Sequence, residues 1–251
     1  MRVTELRQMF ALEDTYWWFV GRRYLIRRLL NRYLPAHRRL RIADVGCGTG
    51  GAWPVLSPLG QVVGIDQAEA AIAYSRSRGW QQLVLASAEQ LPFRRGAFDL
   101  ITTLDLLEHV ADDQQALREI HYALQPGGLL LVTVPAYRFL WSEHDQALGH
   151  HRRYLASEVR ARLLQAGLVP LRISYAITFM FPVVFAYRMF RRLSTWRAER
   201  RPQTALLPLP RPLNQLLIAS LKLEAALLGW CDLPFGVSVV AVARRPNNIN
   251  R

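Results

Sequence analysis

The sequence predicts an α/β fold, a doubly wound, mainly parallel sheet of seven strands with helices on both faces. Short apolar runs of strand length recur at residues 41–45, 62–65, 83–85, 98–103, 129–134, 169–175 and 237–243. Helical spacing between them, clearest at 116–124, gives the strand–helix alternation that builds a parallel sheet. The first two runs are joined by a glycine turn, Gly46-Cys47-Gly48-Thr49-Gly50-Gly51, and the second ends in the acid Asp66.

Taken in order, residues 1–34 carry Leu6, Met9, Phe10, Tyr16, Trp17, Trp18, Phe19 and Tyr24 in a helical pattern, an aromatic load that must pack on something. Glycines at alternate positions then let the chain turn sharply, and the helix N-terminus beyond them offers N–H groups to a ligand. Asp66, twenty residues after Gly46, can accept both hydroxyl protons of a ribose. Gly46, Gly48 and Gly51 also spell the dinucleotide pattern, which alone is a weak signal. Asp44 argues for another cofactor: a carboxylate there can hold the turn and face an ammonium group, and it repels a pyrophosphate.

At Asp44-Val45-Gly46-Cys47-Gly48-Thr49-Gly50 the chain resembles the class I S-adenosylmethionine-dependent methyltransferases, whose first motif is an acid followed by alternating glycines. The likeness continues in Ala86-Ser87-Ala88-Glu89-Gln90-Leu91-Pro92-Phe93, similar to the family's adenine-contacting segment, with Ser87 where many members carry an acid. It continues again in Leu104-Asp105-Leu106-Leu107-Glu108-His109-Val110 after the fourth strand, and the Pro126-Gly127-Gly128 turn follows. The resemblance covers about residues 40–170 and implies a Rossmann-like core with S-adenosyl-L-methionine as cofactor. It implies cofactor contacts at Asp44, Gly46, Cys47, Gly48, Gly50, Asp66, Gln67, Ala88, Glu89, Asp105 and Leu106. It also implies an N-terminal lid in which Trp18 faces the sulfonium and Arg22 the carboxylate; cation–π attraction supports the first. The alternative is that these aromatics only close the edge of the core.

The segment 135–154 is too polar for a core helix and holds His144, His150 and His151 beside Glu143 and Asp145. It follows a strand end, where open sheets bind ligands, and is the expected acceptor site. His150 or His144, with Asp145 fixing the tautomer, can take a proton from an acceptor hydroxyl. The bland alternative is a solvated loop with Arg153 and Tyr154 capping the next helix. No metal is expected, since histidine and carboxylate lie near each other in many sites without one.

Four segments are expected: a lid at 1–34, the core at 35–175, a helical insertion at 176–236 before the last strand, and 237–251. An uncharged stretch at 173–187 precedes Arg188, Arg191, Arg192, Arg197, Arg200 and Arg201 and is too short to span a bilayer. It suits a membrane surface or a cover for a lipid-like acceptor, and equally a helix pair completing the core or a dimer contact. Four prolines mark 202–212 as a linker to a helix at 214–229.

The net charge of +13 is almost entirely arginine, with Lys222 the only lysine, and it is scattered in pairs. This pattern, without a base-reading module, disfavours a nucleic-acid partner. Cys47 and Cys231 are too few for a disulfide framework or a zinc site. Charges interrupt residues 1–39, so no signal peptide is expected and the cytoplasm, with peripheral attachment to the inner membrane surface, is the expected location. The reading is an S-adenosylmethionine-dependent methyltransferase for a small-molecule or lipid-like acceptor. The alternatives are an NAD(P)-dependent oxidoreductase and a non-catalytic membrane-associated module. The first lacks a Tyr-x-x-x-Lys pair.

Overall fold

The computed structural model describes residues 3–34, 38–193 and 209–247. The chain opens with α1 (Val3–Leu12) and α2 (Trp17–Tyr33), then enters β1 (Leu40–Val45), the short α3 (Trp53–Leu56) and β2 (Gly60–Asp66). Next come α4 (Glu69–Ser77), β3 (Leu83–Leu85), β4 (Phe98–Leu104), α5 (Asp113–Ala123) and β5 (Leu124–Pro135). The second half holds α6 (Glu143–Leu148), α7 (Ala156–Gln165), β6 (Val169–Ala176), α8 (Phe181–Leu193), α9 (Arg211–Leu227) and β7 (Ser238–Arg244).

The strands form one seven-stranded sheet in the order β3-β2-β1-β4-β5-β7-β6. β1 pairs in parallel with β2 and β4, and β4 with β5, whereas β7 runs antiparallel between β5 and β6. Chain order reverses between β1 and β4, so the carboxyl ends of those strands open a crevice where such sheets bind ligands.

The two-residue period of the strands explains why both faces are covered. Ile42, Leu100, Leu129 and Leu131 point into one core with Leu25, Ile26 and Leu29 of α2 and Ile218, Leu221 and Ala225 of α9. Their neighbours Ala43, Ile101, Leu130 and Val132 point into the other, with Leu117 and Ile120 of α5 and Val159 and Leu163 of α7. Buried on both sides, these strands read as apolar runs without alternation.

Three boundaries differ from the sequence expectation. The uncharged stretch 173–187 is divided, its first residues completing β6 and the rest beginning α8. α9 starts at Arg211, because Pro212 sits in its first turn, where a missing N–H costs nothing. The turn at Pro126-Gly127-Gly128 lies within β5, whose register against β4 shifts between Phe98 and Leu100. Residues 202–208 of the expected linker, and Arg197, Arg200 and Arg201, lie outside the described residues. No helix among the described residues is long and apolar enough to cross a membrane.

Candidate active site

The glycine turn is fixed from β2. Gly46 and Cys47 both donate their N–H to the Ile65 carbonyl, at 2.8 and 2.9 Å. Gly46 has φ +77°, and a Cβ there would stand 2.7 Å from Leu106 Cδ1, so glycine is required for both backbone and space. Asp66 accepts the Gly48 N–H at 3.0 Å through one oxygen and the Ala68 N–H at 2.9 Å through the other. Asp44 does not brace the turn as expected. Its buried carboxylate accepts the Thr102 hydroxyl at 2.6 Å, and burial, aided by nearby Asp66 and Glu13, pushes its pKa up to about 7. Burial also raises the Cys47 thiol, which stays protonated.

The helices before β1 lie over this turn. Met9 Cε is the nearest atom to the place a Gly48 Cβ would occupy, and Glu13 fills that place at Gly51. Glu13 accepts the Thr49 hydroxyl at 2.5 Å and lies 3.3 Å from Arg78, which also pairs with Asp14 at 2.8 Å. Arg22 reaches the end of β4, where it pairs with Asp105 at 2.6 Å and donates to Thr133 Oγ1 at 2.8 Å. Trp18 meets Trp17 edge-on with ring centroids 5.6 Å apart and packs on the first core. Glu13 was missed in the sequence because an acid at the end of a helix has no local signal.

Of the remaining cofactor candidates, Ala88 is buried and Gln67 exposed. Glu89 accepts the Asp112 N–H at 2.7 Å, which ties the segment after β3 to the start of α5. Leu106 abuts Gly46. Asp105 has φ +56°, and Tyr137 and Ile177 have φ +57° and +61°; these are the positive-φ residues other than glycine among those described. Such backbone is held only where surrounding contacts over-determine it, and the three follow the carboxyl ends of β4, β5 and β6.

The segment 135–154 is not a solvated loop. Asp145, in α6, is wholly buried. It accepts the Ser142 N–H at 2.8 Å and the Arg153 Nε at 2.7 Å, and lies 2.9 Å from His150 Nδ1. Burial opposes its charge, but His150 and Arg153 hold it below the usual carboxylate range. Arg153 and Tyr154 do not cap α7: Arg153 also donates to the Ala136 carbonyl at 3.0 Å, and the Tyr154 hydroxyl donates to Asp113 at 2.7 Å. The helix start is closed instead by Glu158, which accepts the Leu155 N–H at 2.8 Å.

Glu108 and His109 stand beside this segment. Glu108 is buried, and burial together with Asp105 raises its pKa well above the usual range. His109 packs edge-on against His150 with centroids 4.6 Å apart, and burial lowers its pKa to about 3. Burial likewise lowers His144 to about 4, so both imidazoles are neutral at physiological pH. α8 closes over the segment: Phe181 meets Tyr137 at 5.6 Å, Phe185 meets Phe139 at 5.9 Å, and Arg188 comes within 3.8 Å of Asp145.

Comparison with known proteins agrees with this geometry. Residues 43–132 match the family described as methyltransferase domain. The chain is 28% identical to a probable S-adenosylmethionine-dependent methyltransferase of Mycobacterium tuberculosis, over 67% of this chain and 62% of that protein. It is 30% identical to the malonyl-[acyl-carrier protein] O-methyltransferase of Enterobacter lignolyticus, over 64% of this chain and 65% of that one. The chain thus spans less than two thirds of the length of these relatives. A solved structure from Thermotoga maritima, described as a possible histamine N-methyltransferase, shares the fold with a TM-score of 0.60. It is 18% identical and covers 97% of this chain and 96% of its own. Residues 43–132 are thus a methyltransferase domain, and the strand order and glycine turn around them are those of the class I S-adenosylmethionine-dependent methyltransferase fold.

Proposed function

We propose that the protein transfers the methyl group of S-adenosylmethionine to a small-molecule or lipid-like acceptor. The observation that carries this reading is the acidic setting of the glycine turn: Asp44 precedes it at the end of β1, Asp66 accepts the Gly48 N–H, and Glu13 lies against Thr49 and Gly51. Such a group attracts a ligand bearing an ammonium and a sulfonium, and it repels the pyrophosphate of a dinucleotide.

The residues fit the cofactor. Each Asp66 oxygen accepts one backbone N–H and keeps lone-pair capacity for ribose hydroxyls. In this reading Gly46, Cys47, Gly48 and Gly50 carry the main chain that the cofactor approaches, Leu106 abuts Gly46, and Gln67, Ala88 and Glu89 belong to the segments that follow β2 and β3. Arg22, locked to Asp105 and Thr133, and Trp18 belong to the helices over the crevice. When bound, S-adenosylmethionine supplies an electrophilic methyl group; the protein supplies position and dryness.

The acceptor side is formed by His144, His150 and Asp145, where Asp145 holds the His150 ring and leaves its Nε2 edge to act on an acceptor hydroxyl. Tyr137 stacks on Tyr175 at 4.9 Å beneath α8, giving an apolar, aromatic wall suited to a greasy acceptor. One relative is by name an O-methyltransferase acting on malonyl-[acyl-carrier protein], which favours an oxygen acceptor. Calorimetric titration with S-adenosylhomocysteine and with NAD, on the wild type and Asp66→Ala, tests the reading. Binding of the first alone, weakened about tenfold or more by loss of two charge-assisted bonds, is expected; binding of NAD alone would sink it.

A further inference from the structure

Glu108, His109 and His150 meet just beyond the end of β4. One ligand atom from each, a carboxylate oxygen and two ring nitrogens, lie within 4.8 Å of one another. Glu108 has 0% of its surface exposed, and neither of its carboxylate oxygens has a hydrogen-bond partner. A buried carboxylate in that condition is costly unless a cation or a proton meets it. The arginines nearby are committed elsewhere, Arg22 to Asp105 and Thr133, and Arg153 to Asp145 and the Ala136 carbonyl.

The histidines have the matching arrangement. His150 directs Nδ1 to Asp145 at 2.9 Å, and Asp145 is itself fixed by Arg153 at 2.7 Å. An outer carboxylate on one ring nitrogen is how metal-ligating imidazoles are oriented, with the other nitrogen turned to the ion. Ligand atoms about 2.1 Å from a common ion stand at most about 4.2 Å apart, so contraction by about half an ångström closes the group.

We propose that Glu108, His109 and His150 bind a divalent first-row transition-metal ion, with Asp145 orienting His150. Two imidazoles and one carboxylate suit Zn²⁺ or Co²⁺, whereas Mg²⁺ and Ca²⁺ prefer oxygen alone. Three protein ligands leave coordination positions for an acceptor oxygen, whose pKa the ion would lower, so that with the ion bound His150 acts through the ion and not as the base itself. That role rests on the methyltransferase reading; binding of the ion does not.

The test uses the full chain, stripped with a chelator and titrated with Co²⁺ by calorimetry and visible absorption, then with Zn²⁺ and Mg²⁺. One Co²⁺ per chain with visible d–d bands is expected, and at least tenfold weaker binding in Glu108→Gln and His150→Ala. At the same Zn²⁺ concentration the melting temperature of the wild type rises more than that of Glu108→Gln. That variant, lacking the buried charge, folds and keeps wild-type affinity for S-adenosylhomocysteine, so failure at the metal is distinct from failure of the cofactor reading. Absence of stoichiometric Co²⁺ binding in the wild type, equal binding in Glu108→Gln, or preference for Mg²⁺ would each overturn the proposal.

Discussion

Asp44 should make the stability of this protein fall as pH rises. Its carboxylate is buried against Thr102, and its pKa is about 7 against an ordinary 3.8. The folded state therefore holds a proton that the unfolded state has released throughout that window. A raised carboxylate pKa contributes stability fully present below the ordinary value and lost as pH rises through the folded value. A shift of about three units at about 1.4 kcal/mol each gives roughly 4 kcal/mol lost between pH 4 and 7, then a plateau. Asp44→Asn mimics the protonated acid, since its amide oxygen can still accept from Thr102. Other buried acids, among them Glu13, Asp66 and Glu108, titrate in the same direction, so the wild-type slope alone does not isolate Asp44. The difference between wild type and variant does. Urea unfolding at pH 4, 5, 6, 7 and 8 should show Asp44→Asn gaining on the wild type by about 4 kcal/mol from the lowest to the highest pH. A sulfonium and an ammonium held near Asp44 would stabilise the ionised form, so saturating S-adenosylmethionine should shrink this gain. A stability gap that is constant with pH would refute the reasoning.

Gly50 has φ +87°, and a Cβ would fall 2.8 Å from Trp80 Nε1 and 3.1 Å from Ser75 Oγ. Gly50→Ala should cost about 2 kcal/mol or more, about 4–8 °C of melting temperature. Gly79→Ala, at φ +92° with nothing within 4 Å, should lose only the backbone part; equal losses would show that packing at Gly50 adds nothing. Glu224 of α9 accepts the N–H groups of Ile177, Thr178 and Phe179 at the approach to α8. Glu224→Gln turns an amide NH₂ against at least one of them, at about 1–3 kcal/mol; hydrogen exchange at 177–179 should accelerate, and unchanged protection would refute the role. Val183, Tyr187, Phe190, Leu216 and Trp230 are exposed on or beside α8 and α9. We propose that this face meets a membrane surface, and sedimentation with anionic vesicles at low salt should retain the protein; no retention removes the proposal.

Much of the fold was legible in the sequence because its signals are local. Seven apolar runs marked the strands, since strands covered on both faces cannot hide their composition. The glycine turn was legible because positive φ and close backbone approach leave few choices of residue, and Asp66 because an acid ends the second apolar run. The polar segment 135–154 misled in one respect. Composition kept a solvated loop open as the alternative there, whereas the mutual pairing of Asp145 and Arg153 allows both to be buried. Pro212 likewise read as a linker residue until its place in the first turn of α9 was seen.

The sequence by itself determined the class of fold and the glycine turn with its flanking acids, through periodicity and turn chemistry. Only the tertiary structure decided which side chains share a site. Glu13 reaches Thr49, Arg22 reaches Asp105, His150 reaches His109, and Arg188 reaches Asp145 across long stretches of chain. Nothing in local propensity encodes those meetings. They follow from how two helical layers pack on a twisted sheet, and from the cost of burying a charge such as Asp145 or Glu13 without a partner.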